Sequence, residues 1–563
     1  MSTGQQDVGR RRFLGVVGGT VAGLVVGGIV GSVATSAAGG QQVRTVTETR
    51  TVTQTAAQAT VTSTVTTTVT APGPGDGFAY PYTAEERAVA AARELVRQGK
   101  VTQNKLVIMT PAGATVNWSW SFPLWEQLTG IKVEHFEVPY GESYAKILPE
   151  AAAKTGSWHL TCAPPGEVIG DFEDAGLTAD LTEYVRKYDP NYDPIGLNEA
   201  DLLNADASPP HPLCASVGNV LGRRFSFVAD GDVWNMLVRM DIARDEAINN
   251  KFAQQTGNPI PDPNLWDWKL YNQLVRFIDV QNLQTAGNRT RGAWNYRERR
   301  YSNFDWALRY FPRGGKYLTD DMKPDFNNQK ALEALEEQQE ITENMDDIVF
   351  SGDFTEQYTD VPAGKAFASL QWPSLAKYVN DPSFSKVVNL IEQFHIPHHI
   401  HPNGERVYIS GYFGGVLAFQ NKYAPDQEMA YLFLQWITAP KNSTVAISKP
   451  GWFDPFRYGH FLHPSIVKIY APNLLNLLDN YNNGAPPFTI PRSFILLDKL
   501  RAEFNPFYLG QQSAEDALKR AEEEWKSILS TIESEGKLSK LRDQWNFQKQ
   551  FYPPRYRQMV GWA

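Results

Sequence analysis

Ser121-Phe122-Pro123-Leu124-Trp125-Glu126-Gln127-Leu128 runs through Thr129-Gly130 into Ile131-Lys132-Val133-Glu134-His135-Phe136. Residues 121–128 carry a helical pattern and Gly130 is its stop. Residues 131–136 alternate as a half-buried strand does. The rhythm extends both ways. Upstream, residues 105–110 are a short apolar run bounded by Pro111 and Gly113, a strand. Downstream come a helix over 144–153 ending near Gly156, a strand over 158–162, and a short helix over 169–175 stopped by Gly176. Strands alternating with helices predict an α/β body. Further on, residues 224–229 and 233–239 are strand-like and flank Asp230-Gly231-Asp232. Helices are predicted over 268–280, 305–310, 329–344, 354–357 and 427–437, and a strand over 366–370. Residues 407–420 are strand or turn, broken by Gly411, Gly414 and Gly415. Residues 83–98 read as an outlying helix and 513–535 as a long amphipathic one.

Ahead of this body, Arg10-Arg11-Arg12-Phe13-Leu14 precedes an apolar, glycine-rich run over residues 16–34. A basic segment before an apolar one is an export signal, and adjacent arginines followed by Phe-Leu fit a twin-arginine signal. A run of about 20 apolar residues also spans a bilayer, so signal and membrane anchor are compatible readings. No cysteine near its end offers a site for lipid attachment, and Ala34, Ala37 and Ala38 fit several cleavage registers. Residues 41–71 are nearly all Thr, Val, Gln and Ala. They show no core pattern and read as an extended tether, ended by Ala71-Pro72-Gly73-Pro74-Gly75. The expected location is extracytoplasmic, on a cell surface or in a periplasm, with the membrane as partner through the N-terminal segment.

The chain of 563 residues has 53 basic and 62 acidic side chains, a net charge of −9. Residues 1–77 hold five arginines against Asp7, Glu48 and Asp76, so the rest is more acidic than the total. That disfavours nucleic acid as a partner, since phosphate contacts need concentrated Lys and Arg. A globular part beginning near Phe78 exceeds the ~250–300 residues at which one core stops growing, so two lobes are expected. Cys162 and Cys214 are the two cysteines. Outside the cell they can join in a disulfide or remain two separate buried thiols. Asn117-Trp118-Ser119, Asn288-Arg289-Thr290 and Asn442-Ser443-Thr444 are glycosylation sequons.

Catalytic patterns are thin: HExxH, GxSxG, GxxxxGK and CxxC are all missing. His398, His399 and His401 have a spacing that zinc or copper accepts. Prolines crowd them and no carboxylate or thiol lies near in sequence, so the segment reads as a structured connector. No metal, cofactor or catalytic residue is expected. The fuller signal is aromatic, with 15 Trp and 24 Tyr. Trp118-Ser119-Trp120, Gln371-Trp372-Pro373, Gly411-Tyr412-Phe413-Gly414 and Gly451-Trp452-Phe453-Asp454 place rings beside strand ends. Rings there line a cleft and suit the apolar face of a sugar, while neighbouring polar groups meet its hydroxyls.

Eight segments fall in a recognisable order. They are Lys105-Leu106-Val107-Ile108; Thr129-Gly130-Ile131-Lys132-Val133-Glu134; Gly176-Leu177-Thr178-Ala179-Asp180-Leu181-Thr182-Glu183-Tyr184; the pair Arg223 to Val228 and Val238-Arg239-Met240-Asp241; Leu265-Trp266-Asp267-Trp268; Gly314-Gly315 with Pro324 to Asn328; Gly364-Lys365-Ala366-Phe367-Ala368 with Trp372; and Ala430 to Trp436 with Ala439. Over residues 104–530 this order resembles the extracellular solute-binding proteins of ATP-driven importers, in particular the sugar-binding family that includes maltose-binding protein. The resemblance implies a two-lobed periplasmic-binding-protein-like α/β fold with hinge strands and a ligand cleft between the lobes. It implies 104–225 with 405–445 as one lobe and 226–404 with 446–510 as the other; the residues themselves read as signal or anchor over 1–38, stalk over 39–77, and a C-terminal helix and aromatic tail over 511–563.

The same resemblance implies ligand contacts from Trp372, after the strand written Gly364 to Ala368; from Asp230 and Asp232, past a hinge strand; from Gly411, Tyr412 and Gly414, where the chain recrosses; and from Trp452 and Arg457 in a later loop. Relatives carry an aspartate where His159 stands, which implies a differently built rim. Arg297-Glu298-Arg299-Arg300 reads as a solvated loop. The function implied is capture of a small solute, a sugar or oligosaccharide, and its delivery by lobe closure to the permease subunits of an ABC transporter. The alternatives from other classes are an exported glycan-acting enzyme and a surface adhesion or scaffold protein.

Overall fold

The structure, a computed structural model, describes residues 24–26, 30–38, 41–54, 60–70, 83–139, 142–163, 168–189, 209–413 and 415–562. It divides into two compact units, Met1–Pro81 and Tyr82–Ala563. In the first, Gln41–Gln54 pairs antiparallel with Leu24–Val26, Val30–Ala38 and Thr60–Thr70. The expectation of a partnerless tether is corrected for these residues. Alternating Thr and Val are β-branched and favour a pleated backbone, and the tract supplies its own pairing partners. The arginine motif and the Pro-Gly break lie outside the described residues. Among the described residues, no helix is long and apolar enough to cross a membrane.

The second unit opens with helix Ala84–Arg97, capped reciprocally by Thr83 and Glu86. It is not outlying. Ala88, Ala91, Ala92 and Leu95 are buried, and the helix packs on Gln427–Thr438, where Gln435 Nε2 donates to Ala84 O at 2.8 Å. The first sheet runs in the order Ser226–Val228, Leu417–Gln420, Leu160–Ala163, Lys105–Pro111, Lys132–Val138. Its last three strands are parallel to one another, the pattern that helices Ser121–Thr129 and Ser143–Ala153 permit as crossovers.

The second sheet runs Arg291–Trp294, Ala366–Gln371, Asn235–Arg239, Ile391–Phe394. Its two central strands are buried at every residue, as strands covered on both faces are. Helix Trp268–Asp279, capped by Asp267 on Leu270 N at 2.8 Å, packs against it.

The chain passes between the sheets twice, at residues 229–234 and around 410–416. These passages lie side by side. Ala229 N donates to Val416 O at 3.0 Å, Trp234 N donates to Gly411 O at 2.9 Å, and Val233 bridges to Tyr412. Both switches fall a few residues later than the expected boundaries, because Ser226–Val228 completes the first sheet by pairing with Leu417–Gln420. A third segment joins them: Gly231 N donates to Asp454 O at 3.2 Å. A Cβ on Gly231 would lie 2.1 Å from Pro455 O, so the three segments meet only around a residue without a side chain.

The C-terminal region is three helices, Ala514–Ser534, Leu538–Lys549 and Pro554–Val560. Trp525 packs on Phe326 and Phe488, and Trp545 packs on Tyr552 and Trp562, so the aromatic tail is core. Several other expectations change. Arg297 is fully buried, donating to Thr342 Oγ1, Tyr296 O and Gln338 O at 2.7–2.9 Å; Arg299 and Arg300 are exposed enough to fit a solvated loop. Cys162 and Cys214 are separate buried thiols, not a disulfide. They lie on different elements, a strand of the first sheet and helix Pro212–Val217. Asn117 is buried and donates to Ala446 O at 2.8 Å, so its sequon is closed to a glycan in the folded chain. His159 is also buried, its Nδ1 accepting from Val107 N at 3.0 Å, which ties it to the first sheet just before strand Leu160–Ala163.

Candidate functional site

Where the crossing segments meet, Asp230, Asp232, Phe354, Tyr358, Trp372, Ser374, Val416 and Trp452 line a small cavity of about 30 Å³, room for about one water, partly open to solvent. Small-molecule clefts run from about 300 to 1,000 Å³, so a solute also needs the adjoining hollow of about 550 Å³. The cavity continues outward into a wider hollow that shares Phe354, Tyr358 and Trp452 and adds Ala112, Pro139, Tyr378 and Phe384. The walls therefore come from both lobes. Trp452 is half-buried and crosses between them. Its ring meets Phe354 edge-on at 5.1 Å and lies over Gly113, where a Cβ would come within 2.2 Å of it. Gly113 also has φ +95°, so both conformation and space reserve that position for glycine.

The floor is polar. Asp230, Asp232 and Asp454 bring carboxylate oxygens within 4.8 Å of one another, all buried. Asp230 Oδ1 accepts from Asp454 N at 2.6 Å. Asp454 accepts from Tyr470 Oη at 2.5 Å and from Ser374 N at 2.8 Å. Lys377 is buried beside them and donates to the carbonyls of Ile447, Gly451 and Phe453. Burial raises Asp230 well above the usual carboxylate range, and Asp454 adds to this; for Asp232 burial leads, followed by Asp230 and Asp454. Burial pushes Asp454 up to about 7, with Lys377, Tyr470 and Ser374 pulling the other way. Burial lowers Lys377 while the same carboxylates oppose the shift.

Of the residues singled out in the sequence, Trp372, Asp230, Asp232 and Trp452 line this one cavity. Trp372 is mostly core. It is 6% exposed, its indole N–H donates to Phe413 O, and it packs among Trp234, Tyr296, Tyr301 and Phe304. Gly411 and Tyr412 belong to the crossing strand behind the floor, where the Tyr412 hydroxyl donates to Asp230 O. Gly414 lies outside the described residues. Arg457 is not on the wall. It is buried and donates to Thr438 O at 2.6 Å and Ser443 Oγ at 3.3 Å. Sequence reasoning missed Phe354, Tyr358, Ser374 and Asp454. Asp454 closes the quoted run Gly451-Trp452-Phe453-Asp454, so its nearness to a selected ring was a usable signal. His398 and His399 take structural places: His398 lies against Trp266 O and His399 pairs opposite Val407.

The second unit has the fold of extracytoplasmic solute-binding proteins of ABC importers. The maltose-bound MalE3 of T. maritima superposes with a TM-score of 0.60 at 17% identity, over 75% of this chain and 99% of that one. An ABC transporter solute-binding protein from Agrobacterium radiobacter K84 in complex with ribitol gives 0.61 at 18% identity, over 76% and 99%. An ABC substrate-binding protein from Listeria monocytogenes in complex with cycloalternan gives 0.56 at 15% identity, over 76% and 99%. No protein-family model matches the sequence, and no curated protein matches it.

Proposed function

We propose that the protein captures a small solute, a sugar or oligosaccharide, outside the cytoplasmic membrane and delivers it to the permease subunits of an ABC transporter by closing its lobes. The observation that carries this reading is the ring-walled cavity with a carboxylate floor, set where the chain passes between two sheets. Flat rings suit the apolar face of a sugar, and carboxylates accept from its hydroxyls. The maltose, ribitol and cycloalternan held by proteins of the same fold support that solute class. Residues 10–14 and the run behind them supply export and a tether to the membrane. No bond is made or broken in this role. Solute shifts a population toward the closed form because it binds that form better.

A thermal-shift screen of the full chain against mono-, di- and oligosaccharides and polyols tests this, with tryptophan fluorescence as a second readout. A ligand at one hundred times its Kd stabilises by about 2.7 kcal/mol. Saturable stabilisation with a matching fluorescence change is expected for at least one solute. A complete panel without either response contradicts the reading. Turnover of a chromogenic glycoside that Asp230→Asn abolishes would establish an exported enzyme in its place.

A further inference from the structure

The cavity floor is short of positive charge. Three carboxylates, from Asp230, Asp232 and Asp454, share Lys377, whose ammonium is already directed at three backbone carbonyls. Both oxygens of Asp454 are occupied, by Tyr470 and Ser374. Asp230 is different. It is 1% exposed, and its Oδ2 finds no hydrogen-bond partner among the described residues. Asp230 and Asp232 stand on the cavity wall opposite aromatic rings, and among the described residues that wall carries no Lys or Arg. A buried acceptor left unpaired is costly, and without a counter-charge buried carboxyls keep their protons.

We infer that the solute carries a positively charged nitrogen that seats between Asp230 and Asp232, with the rings of Trp372, Tyr358 and Trp452 around it. The inference rests on the solute-capture reading and narrows its substrate class to aminated sugars, amino-polyols and related amines. An ammonium donates to Asp230 Oδ2 and lets the carboxylates ionise beside it, whereas a neutral hydroxyl satisfies the acceptor and leaves them protonated. Ring faces attract an organic cation. Calcium wants about six to eight oxygens, and magnesium an octahedral set with several waters. The facing wall is mostly carbon, and the Ser374 hydroxyl is engaged by Tyr358. The other titratable groups facing the cluster include Tyr358, Tyr378, Tyr470, Tyr481, Cys162 and Cys214, with the Tyr412 hydroxyl on Asp230 O. Burial raises those six, so they are neutral near pH 7 and supply no counter-charge. Protons held by the carboxylates therefore leave when the amine enters.

Calorimetric titration of the full chain at pH 8 tests this with pairs that differ at one nitrogen: D-glucosamine against D-glucose, and D-glucamine against D-glucitol. Putrescine, calcium chloride and magnesium chloride are titrated separately. The amine of a pair is expected to bind at least tenfold more tightly, with a heat that varies with the buffer's ionisation enthalpy. Asp232→Asn is expected to lose that preference. Equal or tighter binding of the neutral partner overturns the inference and leaves solute capture standing. Saturable binding of calcium or magnesium alone overturns it in favour of a metal site. Melting of the ligand-free Asp232→Asn protein decides the case in which no probe binds. A charge-starved floor predicts a higher melting temperature than wild type at pH 8 and none of that gain at pH 5. A lower melting temperature at both pH values makes the cluster structural and overturns the inference.

Discussion

Trp372 and Trp452 line one cavity but stand on different footings. Trp372 is hemmed in by four rings and holds Phe413 O, and truncating a buried Trp costs about 3–5 kcal/mol. Trp372→Ala is therefore expected to lower the melting temperature markedly as well as weaken binding. Trp452 is half-buried between Gly113 and Phe354. Trp452→Ala is expected to weaken solute binding more than tenfold with a far smaller melting change, as paired titration and circular dichroism melts will read. Titration follows from the carboxylates. Asp454 holds its proton up to about 7 in the folded chain, against an ordinary value of 3.8. The folded state thus binds a proton that the unfolded state releases between those values. This stabilisation is complete below about pH 4 and is lost as pH rises through about 7. His211 runs the other way. Burial lowers it from 6.5 to about 4, so its contribution is complete above 6.5 and is lost as pH falls through 4. Asp454→Asn is expected to flatten the fall in melting temperature between pH 5 and 8, and an unchanged slope would remove Asp454 from this role. At this scale the sequence showed ring-bearing turns but not side-chain direction. Arg457 sits in the expected loop and still turns inward to Thr438 O.

Among the elements, the crossing strands set the geometry. Gly231 lets segment 229–234 touch Pro455 and Tyr481, with a would-be Cβ 2.1 Å and 2.3 Å from their oxygens. Gly231→Ala is expected to lower the melting temperature and reduce solute affinity together, because the displaced segment carries Asp230 and Asp232. A variant with wild-type melting and binding would show that the crossing tolerates a shift. The strand–helix rhythm around Gly130 was legible because local period and chain breaks act there without tertiary help. Helix Ser493–Tyr508 was not. It contains Pro506, and its mixed apolar pattern is resolved by packing on helix Ala514–Ser534. The Thr/Val tract is the reverse case. Its alternation suits a strand, and only the pairing register, as in Val46 opposite Thr67, showed that the partner lies within the tract itself.

For the whole second unit, the order of eight segments made the two-lobed fold legible, since motif order survives where identity has fallen to 15–18%. The bracing by the C-terminal helices was not legible, because it rests on long-range contacts. Lys537 and Lys540 pair with Asp174 beneath the first sheet at 3.0 and 3.2 Å, and Lys549 pairs with Asp320 at 2.6 Å. Lobe closure over a solute is the central claim, and a distance between the lobes tests it most directly. Fluorophores placed by Glu126→Cys and Lys251→Cys lie on exposed helical positions of the two lobes, and the native thiols are buried and do not compete. Energy transfer between them is expected to rise saturably with a solute that raises the melting temperature, with the same apparent Kd as calorimetry. Transfer that stays constant while that solute saturates the protein would contradict closure.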